Sequence, residues 1–296
     1  MTMKSIASLE EQRNAQETNW AQANFMKCNA LVAFVDILGF SGIGSTDVNP
    51  KIDSNFVALQ QLLNCVEKTF SKIESKYSQC YIGNIQQVDE NDFEEIPSVV
   101  KPDGGTEVRL FPERYLDVYV ISDSIIVLCP LDGEGEANML EVERAKILML
   151  FEFCHELNQL MFENGLPLRG AIAYGDVYKP MQKARSELNG AVLLGRALIE
   201  AHEFGENINA AAIAVCPSAE GFLVRMGIGW SSVPGVTDDK IHLPLKTDRY
   251  YCVKTKIQSS DVEGAVNKCF SGCGKSAAGV RDKIENTVNV IKASRS

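Results

Sequence analysis

Three side chains far apart in the sequence are of the types that handle phosphate and divalent cations: Asp36, Asp123 and Arg169. Asp36 closes the apolar run Leu31-Val32-Ala33-Phe34-Val35 and is followed at once by a turn containing Gly39 and Gly42. Such a run reads as a core strand, and a carboxylate at its mouth needs a cationic partner, because an unpaired buried charge is costly. Asp123 sits in the short polar centre Ser122-Asp123-Ser124 between two β-rich runs, the pattern of a hairpin with Asp123 at its tip. Arg169 opens a third strand-like stretch, Leu166 to Tyr178. Two carboxylates at adjacent strand ends form a hard-oxygen site that suits Mg²⁺ or Mn²⁺, two ions of which can activate an attacking hydroxyl and neutralise a leaving pyrophosphate. The backbone N–H groups of Leu38 to Gly42 are placed to cradle phosphate oxygens, and the Ile37 carbonyl is placed to assist as a metal ligand.

The elements that must position these groups follow from periodicity. Asp53 to Tyr77 carries Phe56, Leu59, Leu62, Leu63, Val66, Phe70 and Ile73 at helical spacing. A second amphipathic helix is expected from about Met139 to Asn164, stopped by Gly165. Leu166 to Tyr178 is expected as strand with a glycine turn, Ala191 to Glu206 as helix, and Ala210 to Cys216 as strand. The order β-α-β-β-α-β predicts an α+β fold, a ferredoxin-like palm whose mixed, mainly antiparallel sheet is flanked by helices. In that topology the first strand lies beside the hairpin, so Asp36 and Asp123 face each other.

Around this unit, residues 1–27 read as a polar N-terminal arm and residues 28–220 as the catalytic domain. An acidic, Gly/Pro-punctuated insertion at 83–113 is expected as a surface loop or small hairpin. Residues 221–296 would complete the same domain, ending in a helix with the stripe Val280, Ile284, Val288 and Ile291. With 296 residues, 45% hydrophobic composition and a formal net charge of −10, the chain reads as an ordinary globular protein with no general attraction to nucleic acid or anionic membranes. No apolar run reaches the length of a membrane span and no signal peptide opens the chain, so a cytoplasmic location is expected. The nine cysteines are odd in number and lack a CxxC pair, which favours reduced thiols acting as small hydrophobes. His155, within a long amphipathic helix, and His202, flanked by acidic residues, are expected to be structural.

Four segments together resemble the class III nucleotidyl cyclase family. Phe34-Val35-Asp36-Ile37-Leu38-Gly39-Phe40-Ser41 is similar to the family's opening "F-x-D-I-x-G-F-[ST]" signature, and Ile121-Ser122-Asp123 to its "I-G-D" hairpin with serine replacing glycine. Arg169-Gly170-Ala171-Ile172-Ala173-Tyr174-Gly175-Asp176-Val177 resembles "R-x-G-I-x-x-G-x-V", and Leu194-Gly195 to Ala201 fits "G-x-x-[VL]-x-x-A". The resemblance implies Asp36 and Asp123 as ligands of two Mn²⁺ or Mg²⁺ ions, with Ile37 assisting through its carbonyl. It implies triphosphate binding by Leu38, Gly39 and Phe40 in the turn, with Phe34 beside them, and phosphate contact by Arg169. The reaction implied is attack of a ribose 3′-hydroxyl on the α-phosphate, giving a 3′,5′-cyclic nucleotide and pyrophosphate. The family also implies a homodimer with composite sites.

The chain departs from the family pattern at four positions. Adenine-reading lysine is replaced by Tyr119 and the second base reader by Val192, so neither position offers the adenine hydrogen-bond pattern. The asparagine and arginine usual on the last helix of the motif set are Ile199 and Glu203, leaving Arg196 as a candidate substitute. Lys246 and Arg249 are candidates for the family's phosphate lysine. An intact metal site with altered base reading resembles the pyrimidine cyclases of bacterial anti-phage signalling, which implies UTP as substrate, cyclic UMP as product and a separate effector that the product switches on. A cytidylate cyclase, an adenylyl or guanylyl cyclase, and a degenerate cyclase domain that binds nucleotide without turnover remain as alternatives.

Overall fold

A computed structural model describes residues 25–38, 54–77, 98–100, 106–108, 115–131, 137–180, 193–244, 248–257, 261–271 and 277–295. Strand β1, Phe25–Ile37, is thirteen residues long and lies between β5 (Ser124–Leu131) and β6 (Leu168–Pro180), antiparallel to both. β4 (Asp117–Ile121) pairs with β5 on the far side, so the order β6-β1-β5-β4 reproduces the expected palm. β8 (Ile213–Val215) extends the sheet as a parallel neighbour of β6, and β11 (Cys252–Val253) closes that edge. The sheet is therefore mixed and mainly antiparallel, as expected.

β1 reads as an almost continuous apolar run because both its faces are covered. Leu31, Ala33, Val35 and Ile37 face the larger core, built with α1 (Ser54–Tyr77) and α2 (Ala137–Glu163). Ala30 and Val32 face the other way and meet Ala197 and Ala201 of α3 (Arg196–Glu206). α1 buries Ala58, Leu62, Cys65, Val66, Ile73 and Tyr77 on one stripe. α2 is buried on more sides, with Ile147, Leu150, Phe151, Phe153, Cys154, Leu157 and Met161 all in the core. Burial pushes the Cys154 thiol up to about 12, so it behaves as a small hydrophobe.

Several expected boundaries move for physical reasons. β1 begins at Phe25, overlapping the polar arm expected at 1–27. The insertion holds a small hairpin, β2 (Ser98–Val100) against β3 (Thr106–Val108). Gly175 makes no turn: β6 runs straight through it, and a Cβ there would lie 3.6 Å from that of Ala197, so the glycine lets α3 approach the strand. α3 starts at Arg196 rather than 191. Leu194–Gly195 instead form the short strand β7 against Tyr178 and Val177. Gly195 has φ +152 and a Cβ there would stand 2.2 Å from the Asp176 carbonyl oxygen, which only glycine tolerates. The strand expected at 210–216 is shorter, Ile213–Val215.

The C-terminal third packs onto the same framework. α4 (Pro217–Arg225) adds Ala219, Phe222 and Leu223 to the main core, and β9 (Ile241–His242) pairs with β10 (Arg249–Tyr250). α5 (Val262–Phe270) and α6 (Ala277–Ala293) bury Val266, Phe270, Val288 and Ile291 with Leu38, just past the end of β1. His155 on α2 donates from Nδ1 to the Lys254 carbonyl at 3.0 Å and lies against Gly235, whose φ is +68. No disulfide joins cysteines among the described residues, and no described helix is long and apolar enough to cross a membrane.

Candidate functional site

Strand register places the chemistry-bearing side chains in rows on the α3 face of the sheet. The end row reads Ile121, Ser124, Asp36, Arg169 across β4, β5, β1 and β6. The next row inward reads Tyr119, Ile126, Phe34, Ala171. Side chains two residues apart on a strand share a face about 7 Å apart, so Phe34 and Asp36 look the same way.

Asp123 reaches this end through the hairpin. Ile121 pairs with Ser124, leaving a two-residue loop, Ser122-Asp123. Ser122 has φ +58 and Asp123 is not in the positive-φ region, the pattern of a type II′ turn that glycine normally supplies. The serine noted as a departure in the sequence motif is thus the residue that holds the left-handed position. Across the sheet, Ile37 N–H donates to the Asp123 carbonyl at 3.2 Å, which fixes the hairpin tip to the end of β1. The two aspartates therefore meet at one sheet end, as the topology predicts.

Their surroundings differ. Arg169 Nε donates to Asp36 Oδ1 at 3.0 Å and to Oδ2 at 3.2 Å, and Nη2 donates to Oδ2 at 3.1 Å. The pair is partly shielded, with 24% of the arginine and 21% of the aspartate side chain exposed. Nη1 donates to the Glu206 carbonyl at 3.2 Å, at the C-terminal end of α3, where the helix dipole favours a cation. The half-buried Asp123 carboxylate has no hydrogen-bond or ion-pair partner among the described residues. The cation that the sequence demands for Asp36 is Arg169 in this structure.

The remaining candidates divide sharply. Leu38 is 1% exposed and its N–H donates to the Pro167 carbonyl at 2.7 Å, so that amide is already engaged and is not offered to a phosphate. Gly39, Phe40, Lys246 and Val192 lie outside the described residues. Tyr119 is half-buried with Ile126 and Phe34 on the site face. Arg196 opens α3 and is exposed, at the end opposite the Glu206 carbonyl that meets Arg169. An eleven-residue helix is about 16 Å long, so within one chain Arg196 and Asp36 are not brought together. Arg249 is exposed on β10, opposite His242.

His202, expected to be structural, packs beside the site. Its ring stands edge-on to Phe34, centroids 4.8 Å apart and planes at 88°, and its Nε2 lies 3.5 Å from Glu206 Oε1. The i, i+4 spacing of His202 and Glu206 was the available signal, but the strand partner that places them at the site is a tertiary fact. On the same face Lys179 pairs with Asp117 at 2.9 Å.

The donor set fits a divalent cation in type: two carboxylates and a backbone carbonyl are hard oxygens. No cluster of three or more His, Cys, Asp or Glu able to hold a metal occurs among the described residues. Protein ligation at Asp36 and Asp123 would therefore be sparse, the situation in which Mg²⁺ or Mn²⁺ takes further oxygens from substrate phosphates.

No protein-family model and no curated protein sequence matches the chain. Solved structures similar to it include the guanylyl cyclase domain of the RhoGC fusion protein from the aquatic fungus Blastocladiella emersonii, with 13% identity and a TM-score of 0.40 over 78% of this chain and 97% of that one. The guanylyl cyclase Cya2 is matched at 13% identity and a TM-score of 0.36 over 80% and 98% of the two chains. A class III adenylyl cyclase-like ATP-binding protein from Pseudomonas aeruginosa is matched at 14% identity and 0.33, over 67% of this chain and 35% of that one.

Proposed function

We propose that the chain is a nucleotidyl cyclase, converting a nucleoside triphosphate to its 3′,5′-cyclic monophosphate and pyrophosphate. The observation that carries this reading is the meeting of Asp36 and Asp123, from separate motifs, at one end of the sheet beside Arg169. Mn²⁺ or Mg²⁺ bound there would polarise the α-phosphate and stabilise charge on the leaving group. Asp36 and Asp123 hold the carboxylate oxygens at the sheet end, and the Asp123 carbonyl ties the hairpin to β1. Arg169 supplies a planar fork whose geometry matches phosphate oxygens. The 3′-oxygen forms a bond to the α-phosphorus, the bridging bond to the β-phosphate breaks, and the 3′-hydroxyl proton leaves to solvent.

The finer reading is a pyrimidine cyclase making cyclic UMP from UTP, a messenger that switches on a separate effector in anti-phage defence. Tyr119, half-buried on the site face, supports it, since it stands where the family motif carries the adenine-reading lysine and brings bulk and a phenol in place of an ammonium. A homodimer with composite sites is the assembly proposed, supported by Leu194 at 61% and Ile199 at 55% exposure on β7 and α3. The competing reading, a nucleotide-binding domain without turnover, is favoured by the exposed Ile199 and Glu203 where the family motif carries asparagine and arginine. Incubating the chain with Mn²⁺ and each of the four nucleoside triphosphates separates them. A cyclic product from UTP above the other three supports the reading, ATP or GTP as best substrate overturns its pyrimidine part, and no pyrophosphate from any of them overturns it entirely.

A further inference from the structure

The guanidinium of Arg169 and a divalent cation compete for the oxygens of Asp36. A carboxylate offers about four acceptor positions over its two oxygens. Arg169 engages both oxygens with two N–H groups, Nε–H shared between Oδ1 and Oδ2 and one Nη2–H on Oδ2. Asp123, tied to the same sheet end by its backbone, has no side-chain partner among the described residues. A cation arriving alone finds one carboxylate open and the other closed.

Arg169 is also equipped to leave. Its Nε–H, one Nη2–H and one Nη1–H are engaged with Asp36 and the Glu206 carbonyl, so two of its five donors have no partner among the described residues. About a quarter of the side chain is exposed. Those donors present a half-formed fork to an incoming phosphate, which carries more charge than a carboxylate and accepts bidentate arginine contacts.

We propose that Arg169 is a counter-ion latch: it closes Asp36 against divalent cations until a triphosphate draws the guanidinium away, so that metal and nucleotide enter together. This rests on the cyclase reading of the site. Coupling of this kind is reciprocal, so a bound cation strengthens triphosphate binding by the same factor that triphosphate strengthens cation binding. The same guanidinium donates from Nη1 to the Glu206 carbonyl, at the end of α3 where His202 stands 3.5 Å from Glu206.

The test is a Mn²⁺ titration of the full chain without nucleotide, followed by electron paramagnetic resonance of the free ion. Arg169→Ala is expected to bind Mn²⁺ about tenfold more tightly than wild type, with Arg169→Lys between them. Asp36→Asn in the Arg169→Ala background is expected to lose the gain. Lys179→Ala removes a cation from the same face without touching Asp36 and is expected to stay within twofold of wild type. Equal or weaker Mn²⁺ binding by Arg169→Ala, a matching gain in Lys179→Ala, or no Mn²⁺ binding by any variant overturns the latch. The cyclase reading is judged separately by turnover of the four triphosphates. A gain in Mn²⁺ affinity without turnover keeps the latch and removes the cyclase reading, and turnover without the gain does the reverse.

Discussion

The two faces of the central sheet are built from the same strands and serve opposite ends. The face under α1 and α2 is dry: Leu31, Val35, Ile125, Val127 and Ile172 meet Leu62, Leu150 and Phe153 with almost no exposure. The face under α3 is covered by small residues, Ala197 and Ala201 against Ala171 and Ala173, and beyond them lie Asp36 and Arg169 in the end row, with Tyr119 and His202 nearby. Small side chains let a single helix approach closely but leave the end row uncovered, so charged groups can stand there half-solvated without the full cost of burial. One face carries the stability, and the other leaves Asp36 and Arg169 partly exposed.

The largest effect is expected at the aspartates. Asp123→Ala is expected to lower cyclic-nucleotide formation about 1,000-fold, in the range for deleting a transition-state contact. Its melting temperature should stay near that of wild type, because the Asp123 side chain has no partner among the described residues. Near-full activity in the variant would remove the metal assignment. The reverse pattern is expected on the dry face. Phe151→Ala, at a fully buried position of α2, should cost about 3–5 kcal/mol in urea denaturation through lost burial and a residual cavity.

His155 sharpens the contrast through pH. Burial, followed by the nearby Lys256 charge, pushes its pKa below the ordinary histidine value, against the opposing pull of the Lys254 carbonyl, Glu156 and Glu152. The unfolded chain therefore binds the proton more readily than the folded one. Stability from this group is complete above about pH 6.5 and declines as pH falls below it toward the folded-state value. Melting temperatures measured from pH 7.5 to 5.0 should fall less steeply in His155→Gln than in wild type, and parallel curves would remove His155 as the cause. The smallest effect belongs to the site face: Ser122→Gly should stabilise the chain by about 0.5–1 kcal/mol, by relieving the left-handed strain less the added freedom of glycine when unfolded. A loss of stability there would mean that the Ser122 hydroxyl matters more than its backbone angle.

The palm was legible because its signals are local. The apolar run before Asp36, the helical spacing from Phe56 to Ile73 and the polar centre at Ser122-Asp123 each report on neighbours in sequence. The same signals brought Asp36 and Asp123 to one sheet end through the βαββαβ order. What sequence could not convey was set by tertiary approach. Gly175 looked like a turn and is a strand residue that admits α3, while Gly195 looked like helix interior and ends a strand bridge. Leu38 looked like part of a phosphate cradle, yet burial against α5 and α6 and the Pro167 carbonyl claim it. The partner of Asp36 was anticipated as a cation, and its identity as Arg169 depends on β6 lying in register with β1, pairing Asp36 with Arg169.

Cyclase activity is tested by ³¹P NMR of UTP incubated with the chain and Mg²⁺. The α, β and γ resonances are expected to give way to pyrophosphate and a single 3′,5′-cyclic phosphodiester in equal amounts, and Asp36→Ala is expected to leave UTP unchanged. Orthophosphate with UDP as the products, or a cyclic product that persists undiminished in Asp36→Ala, would contradict it.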